Sequence, residues 1–169
     1  VDQLLIEQLS SGAWYVDVIQ HEIHVYIFHD STQPNPEKEA FAFAQSLMRE
    51  RSKRRELDFM GFLDIGMACG PIVSGIVGPK LYQKTAAIGP ATGIAIAAKS
   101  LGVPLRNAIG GSDRILMDAS IARHLEDVPS VQSVSAPKIF AGRKWKDPYI
   151  FVVESELRVE ERANRSGAA

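Results

Sequence analysis

Residues 88–102 read IGPATGIAIAAKSLG, and Gly89 and Pro90 give this run the start of an anion-binding helix. A proline in the first turn is favourable because its missing N–H would have no intrahelical partner. The amides left open at such a start are suited to a phosphate. The two turns that follow offer no chemistry to go with it. Gly93, Ile94, Ala95, Ile96, Ala97 and Ala98 carry only hydrogen or alkyl groups.

Other reactive residue types are sparse. His21 and His24 lie three apart in a strand-like run, so their side chains point to opposite faces and do not share a metal. His29 lies near a turn and His124 near a helix end, and no Cys-x-x-Cys or His-x-x-x-His spacing occurs. Cys69 sits at a Cys-Gly-Pro pivot, where a free cysteine reads as a small apolar residue at a strand end; a catalytic thiol there needs a base or a helix N-terminus close by. The glycines of GPIVSGIVGPK are spaced G-x4-G-x2-G without the terminal Gly-Lys-Ser/Thr of a phosphate-binding loop. They read as close backbone packing in a hairpin. Arg49, Arg51, Lys53, Arg54 and Arg55 are interleaved with Glu50 and Glu56, the pattern of a solvated helix end whose cations suit the dipole. Without aromatic platforms or a wider basic surface, the run argues against nucleic-acid binding.

The elements that must position these residues follow from periodicity. Leu4, Leu5 and Leu9 form one helical stripe stopped by Gly12. The runs 13–19 and 22–28 (AWYVDVI and EIHVYIF) are joined tightly at Gln20 and His21, as in a β-hairpin. Pro36 and Glu37 start a helix over 36–52 with apolar positions at Ala40, Phe43, Ala44, Leu47 and Met48. The stretch 61–78 reads as two β-rich runs forming a second hairpin about Cys69, Gly70 and Pro71, buried as adjacent sheet strands. A helix over 90–101 comes next, then a strand at RILM, a helix capped by Asp118, and a final hairpin turning near Gly142 to Pro148. Strands and helices mix rather than alternate, which makes the class α+β with a mostly antiparallel sheet and helices packed on one face.

Composition bounds the rest. The 169 residues are 46% hydrophobic and 23% charged, with a formal charge of −1, which provides no global attraction to nucleic acid or anionic membrane. The single cysteine excludes an intrachain disulfide and fits a reducing compartment. Apolar runs stop well short of the roughly 18 residues a spanning helix needs. The chain opens on Val1 without Met, and we expect further sequence upstream.

LDIGMACGPIVSGIVGPK followed at short distance by IGPATGIAIAAKSLG resembles the catalytic core of the class III nucleotidyl (adenylate/guanylate) cyclases. That family has a strand with an Ile-Gly-Ile-like run, a Gly-Pro or Gly-Glu turn, a Val-x-Gly-x-Val-Gly strand, and then Ile-Gly-Asp-x-Val-Asn-x-Ala-x-Arg. Its strand, Gly-Asp, strand-to-Phe hairpin is similar to AWYVDVIQHEIHVYIF, and its last helix and hairpin resemble those from ILMDAS onward. The resemblance spans residues 4–154 and implies a ferredoxin-like sandwich. It implies a cyclase-homology domain over 1–154 that lacks the family's first strand, ahead of a charged tail over 155–169 that frays.

The same resemblance implies that the working residues are lost. The hairpin Asp that holds Mg²⁺ corresponds to His21, preceded by Gln20 in place of Gly. The ribose-positioning Asn corresponds to Gly93 and the transition-state Arg to Ala97. The Asp after Ile-Gly corresponds to Pro90, and the base-selecting pair to Asp17 and Ala86. Lys99 does not replace the Arg, since two residues further along is about 200° around a helix. The family works as a head-to-tail dimer, with metal carboxylates from one subunit and Asn/Arg from the other. A chain lacking both sets leaves neither interfacial site whole. The expectation is a degenerate cyclase-like domain of signal transduction, with no cofactor, acting by dimerisation, regulation or ligand sensing in the cytoplasm or the cytoplasmic part of a larger protein. Its expected partner is a second copy, another cyclase-like domain or an attached upstream domain, met through 13–28 and 84–97 with Gly93, Ile94 and Ala97 at the contact. The alternative is an active cyclase that converts ATP or GTP with Mg²⁺ or Mn²⁺ and non-standard residues.

Overall fold

A computed structural model describes residues 14–19, 22–28, 35–53, 61–125, 127–128, 131–135 and 149–154. The chain order is β1 (Trp14–Ile19), β2 (Glu22–Ile27), α1 (Pro36–Lys53), β3 (Asp64–Met67), β4 (Val73–Val77), a 3₁₀ turn (Lys80–Tyr82), β5 (Lys84–Ile88), α2 (Pro90–Ser100), α3 (Gly102–Ile109), β6 (Arg114–Met117), α4 (Ala119–Ala122), β7 (Gln132–Ser135) and β8 (Tyr149–Glu154). The expected helix over 4–12, the turn near Gly142 to Pro148 and the tail lie outside the described residues.

The described strands form three sheets. A four-stranded sheet runs β3-β6-β8-β7, with β3 parallel to β6 and the other pairs antiparallel; β1-β2 and β4-β5 are separate antiparallel hairpins. The class is α+β, as expected. Strand β6 is buried at every position because both of its faces are covered. Ile115 and Met117 pack with Phe41, Ala44 and Met48 of α1 and with Ile121, Ala122 and Leu125, whereas Leu116 packs with Ala98, Leu101 and Leu105 on the other side. The expectation of helices on one face is thereby corrected. Alternation along β6 and β8 puts apolar residues on both surfaces, and each surface needs its own layer.

Helix α2 lies directly on β3. A Cβ at Gly66 would run into the carbonyl of Ala95 and the amide nitrogen of Lys99, so only hydrogen fits there. Pro104 has no N–H for the carbonyl of Ser100, and the helix ends at Ser100 before α3 starts. Asp118 caps α4, its Oδ1 accepting from the Ile121 amide at 3.3 Å, as the sequence predicts. Within the basic run, Arg51 has a structural role: its Nε pairs with Asp113 Oδ2 at 2.9 Å, and Asp113 Oδ1 also accepts from the Leu63 amide at 2.8 Å.

The hairpin expected over 61–78 does not form. β3 pairs with β6, and β4 pairs with β5 in a different sheet. Between them the Cys69 amide donates to Ser120 Oγ at 3.0 Å and the Cys69 carbonyl accepts from the same hydroxyl at 3.2 Å, which ties the chain to α4 instead of folding it back. The real turn lies later, where Gly78 takes φ 104 ahead of Pro79. Burial fails with the pairing: all five residues of β4 are exposed.

Candidate functional site: an open cleft beside Gly93

Strand β2 has two unlike faces. Val25 and Ile27 pack with Phe43 and Leu47 of α1, which anchors the β1-β2 hairpin. Glu22, His24 and Tyr26 point the other way, toward the end of β5 and the first turns of α2. With Ala87, Ile88, Gly89, Thr92, Gly93 and Ile96 they line an open cleft of about 590 Å³, within the range of small-molecule pockets. The tight start at Gly89 and Pro90 sets the direction of α2, and Thr92, Gly93 and Ile96 fall on the turns facing β2.

Polar groups in the cleft are mostly committed to one another. Lys99 Nζ donates to Glu22 Oε1. His24 Nε2 lies 3.2 Å from Glu22 Oε2, and its Nδ1 is 3.5 Å from the Tyr26 hydroxyl. The tautomer protonated on Nε2 serves both contacts. The Lys99 hydrogen bond holds the Glu22 carboxyl below its ordinary range, with His24 adding to it and partial burial opposing. Tyr26 stacks on Tyr15, its cross-strand partner, with ring centroids 5.6 Å apart. Thr92 Oγ1 is the exception: it is buried with no hydrogen-bond partner among the described residues.

The residues singled out from the sequence are only partly brought together. Gly93 lines the cleft, and the space around it is open: a Cβ added there would have nothing within 4 Å. Ile94 and Ala97 are half-buried on α2 and do not line the cleft; Ile96 does. Asp17 sits on β1 opposite His24, with its Oδ2 3.6 Å from Lys84 Nζ on β5. Ala86 is on the same strand as Lys84, opposite Gly75. The structure thus brings the strands of Asp17 and Ala86 together without placing either residue in the cleft. His21 lies outside the described residues.

Cys69 is exposed and follows the end of β3, and it is not at a hairpin pivot, which corrects the expectation of a pivot there. Partial desolvation of the sulfur raises its pKa, and the Glu37 carboxylate that accepts from Sγ at 3.4 Å raises it further. A thiol so held is not an activated nucleophile. Among the described residues no group of three or more His, Cys, Asp or Glu side chains is placed to hold a metal, and no helix is long and apolar enough to cross a membrane.

Sequence reasoning missed Glu22, Tyr26, Thr92 and the Glu22–Lys99 pair. A signal was present in Glu-x-His-x-Tyr, three polar or amphipathic residues at period two on one face of a hairpin strand. Neither a family model nor a curated protein matches the chain by sequence. By structure it is similar to the crystal structure of the adenylyl cyclase CyaB from P. aeruginosa, with a TM-score of 0.62 and 13% identity over 92% of this chain and 78% of that one. That likeness establishes a cyclase-like fold.

Proposed function

We propose that this chain is a cyclase-fold domain of signal transduction that has given up catalysis and acts through association, as a dimerising or regulatory module. The observation that carries this reading is the state of the carboxylate in the cleft. Glu22 lies between a lysine ammonium and an imidazole, so the carboxylate in the cleft is already paired with a side-chain cation. Phosphoryl chemistry of the cyclase type draws its rate from metal ions and positioned cationic side chains around the phosphates. At the positions where the resemblance puts the Asn and Arg, this chain has Gly93 and Ala97. The fold supports cyclase-like partnering, and the cleft's apolar floor supports a contact in place of a reaction.

On this reading no metal or other cofactor is needed, and the partner is a second copy or another cyclase-like domain on the cytoplasmic side. The experiment is an assay for cyclic nucleotide from ATP and from GTP with Mg²⁺ or Mn²⁺, on the chain alone and with any upstream sequence. We expect no product above the uncatalysed background. Sustained turnover would establish an active cyclase with non-standard residues and reject the proposal.

A further inference from the structure

We infer that the tip of the β4-β5 arm, Leu81 and Tyr82 with Lys80 and Lys84 on either side, is a contact site for an anionic lipid surface. This inference goes beyond the associating-domain reading and does not depend on it.

The turn that carries the tip is fixed by its own backbone. Gly78 takes φ 104 just after β4, and a Cβ there would meet the carbonyl of Tyr82. Pro79 has no N–H, and its carbonyl accepts from the Tyr82 amide at 2.7 Å, closing the 3₁₀ turn. Leu81 and Tyr82 are thereby presented outward, 88% and 80% exposed, and a contact made through them has little ordering to supply. The arm is held at its back, where the Tyr15 hydroxyl donates to the Thr85 carbonyl and Ala87 is buried.

Charge around the tip has one sign. No aspartate or glutamate occurs between Asp64 and Asp113, and the only charged side chains from Ile65 to Ala98 are Lys80 and Lys84. Lys80 is exposed on the turn itself. Lys84 Nζ lies 3.6 Å from Asp17 Oδ2, yet its side chain is 63% exposed and solvent screens the pair. The overall charge of −1 gives no long-range attraction to an anionic bilayer. The pull is therefore local to this end of the arm, within a Debye length of the surface.

Leucine and tyrosine set between lysines match the boundary between lipid headgroups and acyl chains. Leu81 enters the acyl edge, and the Tyr82 ring lies at that depth with its hydroxyl among the headgroups. The lysine stems run along apolar surface while their ammoniums reach the phosphates. A protein partner suits this set less well, because lysine is depleted from protein–protein interfaces. The contact is shallow. The outer edges of a two-stranded ribbon carry unpaired N–H and C=O groups, which keeps the paired strands out of hydrocarbon. The subunit contact expected over 13–28 and 84–97 does not include Leu81 or Tyr82, so the two surfaces do not compete.

The test is co-sedimentation of the whole chain with vesicles at millimolar lipid. Phosphatidylcholine alone is compared with a mixture containing about one-third phosphatidylglycerol. The variants are Lys80→Gln and the pair Leu81→Ser with Tyr82→Ser; these positions are exposed, so circular dichroism and thermal melting should match the wild type. We expect the wild type to bind the anionic vesicles in preference to the neutral ones, and to be released by salt. Lys80→Gln should lose about fivefold in binding, the worth of one lysine near such a surface. The serine variant should lose at least about tenfold, the worth of burying one large apolar side chain. A wild type that stays in the supernatant with both vesicles overturns the inference, as does equal binding to the two. A serine variant that binds like the wild type also overturns it and moves the contact elsewhere, with the basic run around Arg51 the next place to look. Sedimentation velocity without lipid supplies the last arm. If the serine variant breaks up a wild-type oligomer, a second copy covers the tip and the lipid assignment is rejected.

Discussion

Lys99 Nζ on α2 donates to the Glu22 carboxylate on β2, joining positions 77 residues apart. Both side chains are about one-third exposed, so solvent screens the pair. Lys99→Met should cost about 0.5 kcal/mol, seen as a small fall in melting temperature. It should also raise the Glu22 pKa toward the ordinary carboxylate range, which carboxyl NMR titration reads.

The same pair sets a pH dependence. Glu22 titrates lower in the folded chain than in the unfolded one. Its contribution is therefore complete above the unfolded value of about 4.3 and is lost as pH falls through the lower folded value. Melting curves on acidification should show Lys99→Met losing less stability than the wild type across that window. Parallel curves for the two proteins would contradict the assignment.

Gly66→Ala is expected to be severe. The added methyl meets backbone of α2 at Ala95 and Lys99, and backbone cannot rotate out of the way. We expect a loss of about 3 kcal/mol, the upper end of overpacking costs, measured by urea unfolding. Gly93→Ala, at an open position of α2, should change stability far less, apart from the helix preference for alanine.

Cys69 should react slowly for an exposed thiol. Its raised pKa keeps it protonated at neutral pH, and Glu37→Gln removes the negative charge that adds to the shift. Alkylation by iodoacetamide at pH 7 should therefore be slower than for a free cysteine and faster in Glu37→Gln. Equal rates in the two proteins would show that Glu37 does not act on the thiol.

Gly93→Asn combined with Ala97→Arg restores the side-chain types that the resemblance puts at these positions. We expect no cyclic nucleotide from the double variant. Glu22 remains bound to Lys99, and position 21 remains histidine. Measurable turnover would mean that the two side chains alone had been limiting.

The elements legible in the sequence are those whose signals are local. The 13–28 hairpin, the helices beginning at Pro36 and Pro90, and the Asp118 cap are each written within a few residues, and each forms. The different pairing of 61–78 has a physical origin. A glycine-rich, β-branched run says that strands form and nothing about which strand pairs with which. The partner of β3 is β6, fifty residues later in register, and the hydroxyl of Ser120 diverts the chain at Cys69. Helix α3 is hidden in the sequence because Pro104 sits within it, at the early turn where a proline is tolerated.

By itself the sequence determined the class of the fold, the start and direction of α2, and the absence of polar side chains from its residues 93–98, because backbone preference and side-chain chemistry are properties of the residue and its neighbours. Only the tertiary structure decided that Glu22, His24 and Tyr26 face Gly93, that Lys99 neutralises Glu22, and that the β4-β5 arm stands uncovered. Those facts depend on which distant surfaces meet. Packing of Val25 and Ile27 against α1, and of α2 against Gly66 of β3, selects that meeting, and no local pattern encodes it.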